Sequence, residues 1–426
     1  MITKKKFDFI TLTIIFQFIF MFFLGPLYRN SITVMISYTI INFLVFLIVV
    51  YLTKKRLEYT YLLFLFAILV ISFIHIIFFK YSIWIETLIL LNFYIIFYYF
   101  KTIVEEGYSY QVLFVLKLTI VLFLIFSLFE GFVKNNVFIE KFGGESIVNE
   151  LIRTRYTANY LIRGTMEHPL IISFFCIFIT PFIFLFDNKI LRNFLIALVI
   201  FTSFVTYKRT SMVLVLVLVV LGYTGRIIFI DKEKFPASKI FKIFLVIIVM
   251  GLLVMFVPIS GETLFERIYN QFMKLETYNR YSIIHRSSSI RLGLEHFFKS
   301  NVFGIFFGNG YRSLSNYFLS NSITISVDGF YVIDNSYLTM LNDFGLVGIF
   351  TFLILSIKSL FSIYRRFKSS REKKNKFFYC MISLSLIFCL SHIFFFDFMN
   401  WFQPIFCFAL LLGYSESKVG SVLEIE

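Results

Sequence analysis

Four short segments of this 426-residue chain hold side chains that could do chemistry. In Tyr207-Lys208-Arg209-Thr210, wedged between two apolar runs, the planar fork of donors on Arg209 could grip a phosphate. A snorkelling basic pair at a tight turn would look the same. Arg291 sits in Ser289-Ile290-Arg291-Leu292-Gly293-Leu294-Glu295, with Arg286 just ahead competing for any phosphate role. It could equally pair with Glu295 four residues on, a contact worth roughly 0.3 kcal/mol. Asp334-Asn335-Ser336-Tyr337 precedes an apolar run that carries Gly345-Leu346-Val347-Gly348. There an acid could orient a sugar hydroxyl or take its proton, or Asp334 or Asn335 could simply cap the helix that starts near Ser336. The two glycines could ease helix packing. The fourth segment is Arg163-Gly164-Thr165-Met166-Glu167-His168-Pro169. Glu167 and His168 read either as a general acid/base pair or as polar residues at a helix start with Pro in the first turn.

Other chemistries find no pattern. Cys176, Cys380, Cys389 and Cys407 all lie in apolar runs without CxxC spacing, and His75, His285, His296 and His392 show no metal-ligand spacing. There is no Walker loop and no dinucleotide fingerprint. The expectation is an activity with no metal and no cofactor.

The elements that must position these residues are set by composition. Hydrophobic residues make up 59% of the chain and charged residues 15%, with a mean hydropathy of +0.85. Soluble domains are nearer half apolar and a quarter charged. The chain reads as an all-α polytopic membrane protein. Its net charge of +15 is scattered through loops rather than gathered in one basic domain, so no nucleic-acid partner is expected.

A bilayer core needs about 20 apolar helical residues, and about twelve runs qualify, near 9–27, 32–52, 57–79, 83–100, 110–130, 169–186, 190–206, 210–230, 240–258, 336–360, 377–396 and 400–414. Lys54-Lys55-Arg56, Lys189 and Arg192, the 226–242 cluster and the basic run from Arg365 to Lys376 fall on one side. The short loops opposite hold only Arg29, Lys80, Lys208 and Arg209. The positive-inside rule then puts both termini in the cytoplasm. Residues 1–258 are read as spans one to nine, with an outer loop near 131–168. Residues 259–335 form a large outer loop before the last three spans, and 336–426 hold those spans and a short tail. Within the large loop, Leu264, Phe265, Ile268, Tyr269, Phe272 and Leu275 recur at helical spacing, as expected for an amphipathic helix on the bilayer. A second helix is expected after Ser287-Ser288-Ser289, with Ile290, Leu294, Phe297 and Phe298 on one face, and Gly304, Gly308 and Gly310 mark turns beyond it.

This architecture resembles the O-antigen polymerase and O-antigen ligase superfamily of bacterial polysaccharide assembly. The ligase pattern is His, then Asn or Ser, nine residues, then Gly-x-x-Gly. Here Asn335 is followed by nine residues and Gly345-Leu346-Val347-Gly348, with Asp334 where the ligase has His. Arg209 is similar to the family's arginine at a span start, Arg291 to its outer-loop arginine, and Gly164 to Pro169 to its Gly-x-x-x-x-Pro stretch. The resemblance implies a metal-independent glycosyltransferase on the extracytoplasmic face of the cytoplasmic membrane, with undecaprenyl-diphosphate-linked glycans and membrane lipid as partners. A chain-length regulator and a flippase of the same pathway are further implied partners. Arg209 and Arg291 would stabilise the diphosphate leaving group, with Asp334 acting on the acceptor hydroxyl. Arg163, Glu167, His168, Arg286 and Asn335 would line the substrate. Asp in place of His favours a polymerase of repeat units over a ligase. A lipid-linked oligosaccharide flippase is the alternative from another class, but its loops would be short and its charges buried within spans, whereas here the arginines concentrate outside the spans.

Overall fold

The computed structural model of the protein describes residues 2–54, 59–78, 83–155, 160–206, 208–230, 258–259, 262–263, 278–320, 335–399 and 401–417. These residues are helical apart from turns and a two-residue antiparallel ladder of Pro258–Ile259 with Glu262–Thr263. In the first half run α1 (Ile2–Phe23), α2 (Gly25–Asn30), α3 (Ile32–Thr53), α4 (Tyr59–Phe78), α5 (Ile83–Glu105), α6 (Ser109–Val133), α7 (Val137–Phe142) and α8 (Glu145–Thr154). Then come α9 (Pro169–Ile183), α10 (Lys189–Val205) and α11 (Arg209–Phe229). The last part holds α12 (Tyr278–Lys299), α13 (Val302–Phe307), α14 (Ser313–Ser320), α15 (Ser336–Ser369), α16 (Lys373–His392) and α17 (Phe402–Glu416).

Length and apolar composition suffice for crossing a membrane in five of the described helices: α3, α5, α6, α11 and α15. Shorter apolar stretches lie in α1, α4 and α9. The protein is an all-α, multi-pass membrane protein. Helix bounds follow the apolar runs closely at α9, α10, α11 and α17, whereas α15 continues to Ser369, past the expected end at 360, and α16 starts and ends four residues before the expected 377–396. The expected span near 240–258 and the amphipathic stretch from Leu264 to Leu275 lie outside the described residues.

Apolar burial between helices gains little in lipid, so packing and interhelical hydrogen bonds must hold the bundle. Both are present. Gly413 brings α17 onto the backbone of α5, where an added Cβ would come within 2.7 Å of the Phe97 carbonyl. A polar ladder crosses α1, α3 and α5. Tyr38 donates to Gln17 at 2.6 Å, Gln17 to Asn42 at 2.6 Å, Asn42 to Asn92 at 3.1 Å, and Asn92 to Thr39 at 2.7 Å.

The two ends of the bundle differ in chemistry. At one end, arginines donate to carbonyls at helix C-termini, where orphan acceptors and the negative dipole end meet them: Arg226 to Phe184 at 3.0 Å, Arg192 to Phe186 at 2.9 Å, and Arg366 to Tyr414 at 3.2 Å. These belong to the loops that the charge count assigns to the cytoplasm. At the other end, α2, the 160–168 segment, the starts of α9, α15 and α17, and the α13–α14 turn come together. That end holds the candidate site.

Candidate functional site

Residues 160–168 form a tight, buried loop stitched to the bundle by one carboxylate. Glu130, in the last turn of α6, accepts from the Tyr160 hydroxyl at 2.9 Å and from the Arg163 and Gly164 amides at 3.0 and 2.6 Å. Asn136 donates to the Gly164 carbonyl at 2.6 Å. Burying a segment with so little regular structure requires each backbone group to find a partner, and these two side chains supply several. The sequence offered no more than a lone acid at the end of an apolar run.

Glu167 is 1% exposed, and its carboxylate is engaged on all sides. Arg29 Nη1 donates to it at 3.0 Å, the Gly144 amide at 3.1 Å, and Asn30 Nδ2 makes a further short hydrogen bond. Arg163 is buried, donates to the Glu167 carbonyl at 2.9 Å and pairs with Glu150 at 3.0 Å. These contacts give Glu167 and Arg163 the role of ties between α2, α8 and α9. His168 caps α9, its Nδ1 accepting from the Leu170 amide at 3.2 Å, and Pro169 follows at the first helical position. That bond fixes the tautomer with the proton on Nε2. Burial, then the charges of Lys208, Arg163 and Arg29, hold His168 down at about 3, so the ring is neutral. Lys208 and the half-buried Arg209, at the start of α11, therefore share this end of the bundle with Arg29 and Arg163.

Asn335 is the cap of α15, accepting from the Leu338 amide at 3.0 Å. Asp334 lies outside the described residues. Ten residues after Asn335, Gly345 breaks α15 with φ +66° and ψ −165°. A break inside a helix frees the carbonyls of the preceding turn. Asn309 and Gly310 fill them, donating to Asn342 and Asp343 at 2.8 and 3.2 Å. The approach is so close that a Cβ at Gly308, itself at φ +86°, would fall on the Asp343 carbonyl. Gly345 thus serves a docked backbone turn, not helix packing alone. The Asp343 carboxylate completes the dock by accepting from the Arg312 amide at 2.9 Å, the Ser313 amide at 3.0 Å and the Ser313 hydroxyl at 2.9 Å. Arg312 is held there in the left-handed region, at φ +60°, an uncommon conformation for a residue with a Cβ.

Arg312 and Arg29 line the same cavity, of about 560 Å³, together with Tyr28, Tyr311 and Trp401. The Arg29 guanidinium lies 3.6 Å from the centre of the Trp401 ring, and the His168 ring is 5.5 Å away on the same indole. Burial is the main cause raising the Tyr311 phenol, so it stays protonated beside Arg312. A second cavity, of about 600 Å³, adjoins the first along Ile89, Met399 and Ile405 and is otherwise walled by apolar side chains of α4, α5 and α15. Two cations at the head of an apolar slot suit an amphipathic anion: headgroup at the arginines, hydrocarbon between the helices.

Of the residues the sequence singled out, Arg163, Glu167, His168 and Arg209 gather at this end of the bundle. Arg291 lies on the exposed side of α12 and does not line either described cavity. Arg286 also falls on α12, its side chain outside the described set. Arg29, Arg312 and Trp401 received no such role from sequence. No group of His, Cys, Asp or Glu that could hold a metal occurs among the described residues. Compared with known proteins, the chain matches no family model and no curated protein.

Proposed function

We propose that the protein polymerises lipid-linked oligosaccharide repeat units. It transfers the growing glycan from undecaprenyl diphosphate to the next lipid-linked unit at the outer face of the cytoplasmic membrane. The observation that carries this reading is the pair of adjoining cavities, one headed by Arg29 and Arg312 and walled by Tyr311 and Trp401, the other apolar. The family resemblance around Asn335 and Gly345-Leu346-Val347-Gly348 supports it. So does the short-loop charge asymmetry, which favours twelve spans with both termini inside.

In this scheme the acceptor hydroxyl attacks the anomeric carbon of the donor sugar as the C–O bond to the diphosphate breaks. The diphosphate leaves with the bonding pair, and the hydroxyl proton passes to a base. Asp334, next to the cap residue Asn335, is the proposed base. Arg29 and Arg312 bind the diphosphate and stabilise its growing charge at the mouth of the cavity. Arg209, at the same end of the bundle, adds positive potential, and Trp401 and Tyr311 offer faces to sugars. The lipid diphosphate is itself an activated leaving group.

The test is reconstitution. Purified protein in liposomes with an undecaprenyl-diphosphate-linked repeat unit should yield a ladder of longer lipid-linked glycans. Movement of the intact unit across the bilayer without any ladder would instead identify a flippase.

A further inference from the structure

The helix α12 exposes two unlike stripes. Successive residues on a helix lie about 100° apart, and every fourth residue returns near the same face. One row, Ser289, Gly293 and Phe297, points inward; Phe297 is 4% exposed, and a Cβ on Gly293 would come within 2.6 Å of Leu338. The next row, Leu292, His296 and Ser300, is half-buried, with His296 Nδ1 2.9 Å from Asn342 Oδ1. The remaining two rows are outward: Ile290, Leu294 and Phe298 form an apolar stripe, and Arg291, Glu295 and Lys299 a charged one. Phe298 is 72% exposed. Phe297 and Phe298, expected on one face, therefore belong to different faces. One points into the protein and its neighbour out of it.

A helix docked on protein and facing water has no reason to keep a continuous apolar flank beside a charged one. Helix α13 prolongs the flank with exposed Val302, Phe303 and Phe306. It also packs against α4, where His75 Nε2 lies 2.7 Å from the Phe307 carbonyl. The neighbouring surface of α4 exposes Phe73, Ile76 and Ile77, as a lipid-facing helix does. The stripe thus continues the exposed apolar surface of α4.

We infer that α12 and α13 are embedded sideways in one leaflet of the bilayer. The Ile290–Leu294–Phe298 and Val302–Phe303–Phe306 flank lies among acyl chains, and Arg291 and Lys299 lie at the level of the anionic headgroups. The occupant of this surface is lipid. An interfacial helix is held by this combination of buried apolar area and basic residues at its polar edge. The arrangement sets the depth of the turn that follows α13, from Gly308 to Arg312, and so places Arg312 near the headgroup level. Arg291 then serves as a headgroup contact. The inference stands apart from the polymerase reading, because it concerns only where these helices sit.

Depth-dependent fluorescence tests it on the full-length protein in liposomes of phosphatidylethanolamine and phosphatidylglycerol. Tryptophan is introduced by Phe298→Trp, by Phe303→Trp and, as the charged-stripe control, by Glu295→Trp. Spectra are taken as differences from the parent, with and without lipids brominated along the acyl chain. Indoles at 298 and 303 should emit at short wavelength and lose most of their intensity to the brominated lipids, while the one at 295 keeps most of its own. Equal, water-like emission at all three positions would overturn the inference. A membrane-confined carbene reagent applied to the unmodified protein gives a second readout that needs no substitution. It should label the peptide spanning 298–306, and absence of label there alongside labelled α4 would contradict the proposal.

Discussion

Arg29 and Glu167 form an ion pair at 3.0 Å across 138 positions of the chain. Glu167 is buried and Arg29 is 30% exposed, so the acid is committed to holding the base and leaves one face of the guanidinium on Trp401. This pairing changes the meaning of the Glu167-His168 dipeptide. The carboxylate positions an arginine at the mouth of a cavity, and the imidazole caps a helix.

Glu167→Gln should therefore behave as a structural lesion. It keeps the hydrogen-bonding shape but leaves Arg29 without its counter-charge, at a cost of about 1–3 kcal/mol, below the full value for a buried pair because Arg29 reaches solvent. Thermal unfolding in detergent should show a clear drop, whereas a general acid would show lost turnover at unchanged stability.

Asp343 anchors the turn that presents Arg312. Asp343→Ala should cost about 1–2 kcal/mol through the lost cap on α14, and it should release Arg312 from its left-handed conformation. Asp343→Asn keeps one acceptor oxygen and should fall between the two. Protease sensitivity near Arg312, compared across the three proteins, checks the order.

Gly308→Ala should be far more damaging than its one added methyl suggests. The position sits at φ +86° with the Asp343 carbonyl in the way. Strain of about 1–3 kcal/mol from the backbone alone adds to that overlap. Gly143→Ala, at φ −74°, separates the conformational cost from the cost of crowding, since only the latter arises there. Expression level and unfolding temperature of the two variants measure the difference.

His168 sets a pH dependence with a definite sign. Its folded value of about 3 lies below the ordinary 6.5, so between those values the unfolded chain binds a proton that the folded one refuses. Stability is full above about pH 6.5 and declines as pH falls toward 3. His168→Asn retains a cap and has no such group, so its unfolding temperature should fall less than the wild type's between pH 7 and pH 5.

Much of the bundle was legible because apolar runs ended at clear signals. Asn188 and Lys189 open α10, His168-Pro169 opens α9, and Asn335 opens α15, each at the expected place. The helices of the 131–168 stretch, α7 and α8, were not foreseen, since six and ten residues between tertiary anchors leave little periodicity to read. The Asn335-to-Gly345 spacing was visible, but its reason was not: the glycine is needed by residues 308–310, which dock into the broken helix. Arg29 carried no local mark at all. It is one basic residue in a short loop, and both Glu167 and Trp401 reach it only through folding.

On the proposed reading, the cavity shared by Arg29 and Arg312 holds the lipid diphosphate. The most direct measurement is the polysaccharide chain-length ladder made by cells carrying Arg29→Ala, Arg312→Ala, Arg209→Ala or Arg291→Ala, each at wild-type protein level. Arg29→Ala and Arg312→Ala should each reduce polymer about 100-fold while single repeat units still reach the surface. Arg209→Ala should have a smaller effect, and Arg291→Ala should leave a nearly complete ladder. Full-length polymer from both Arg29→Ala and Arg312→Ala would contradict the account.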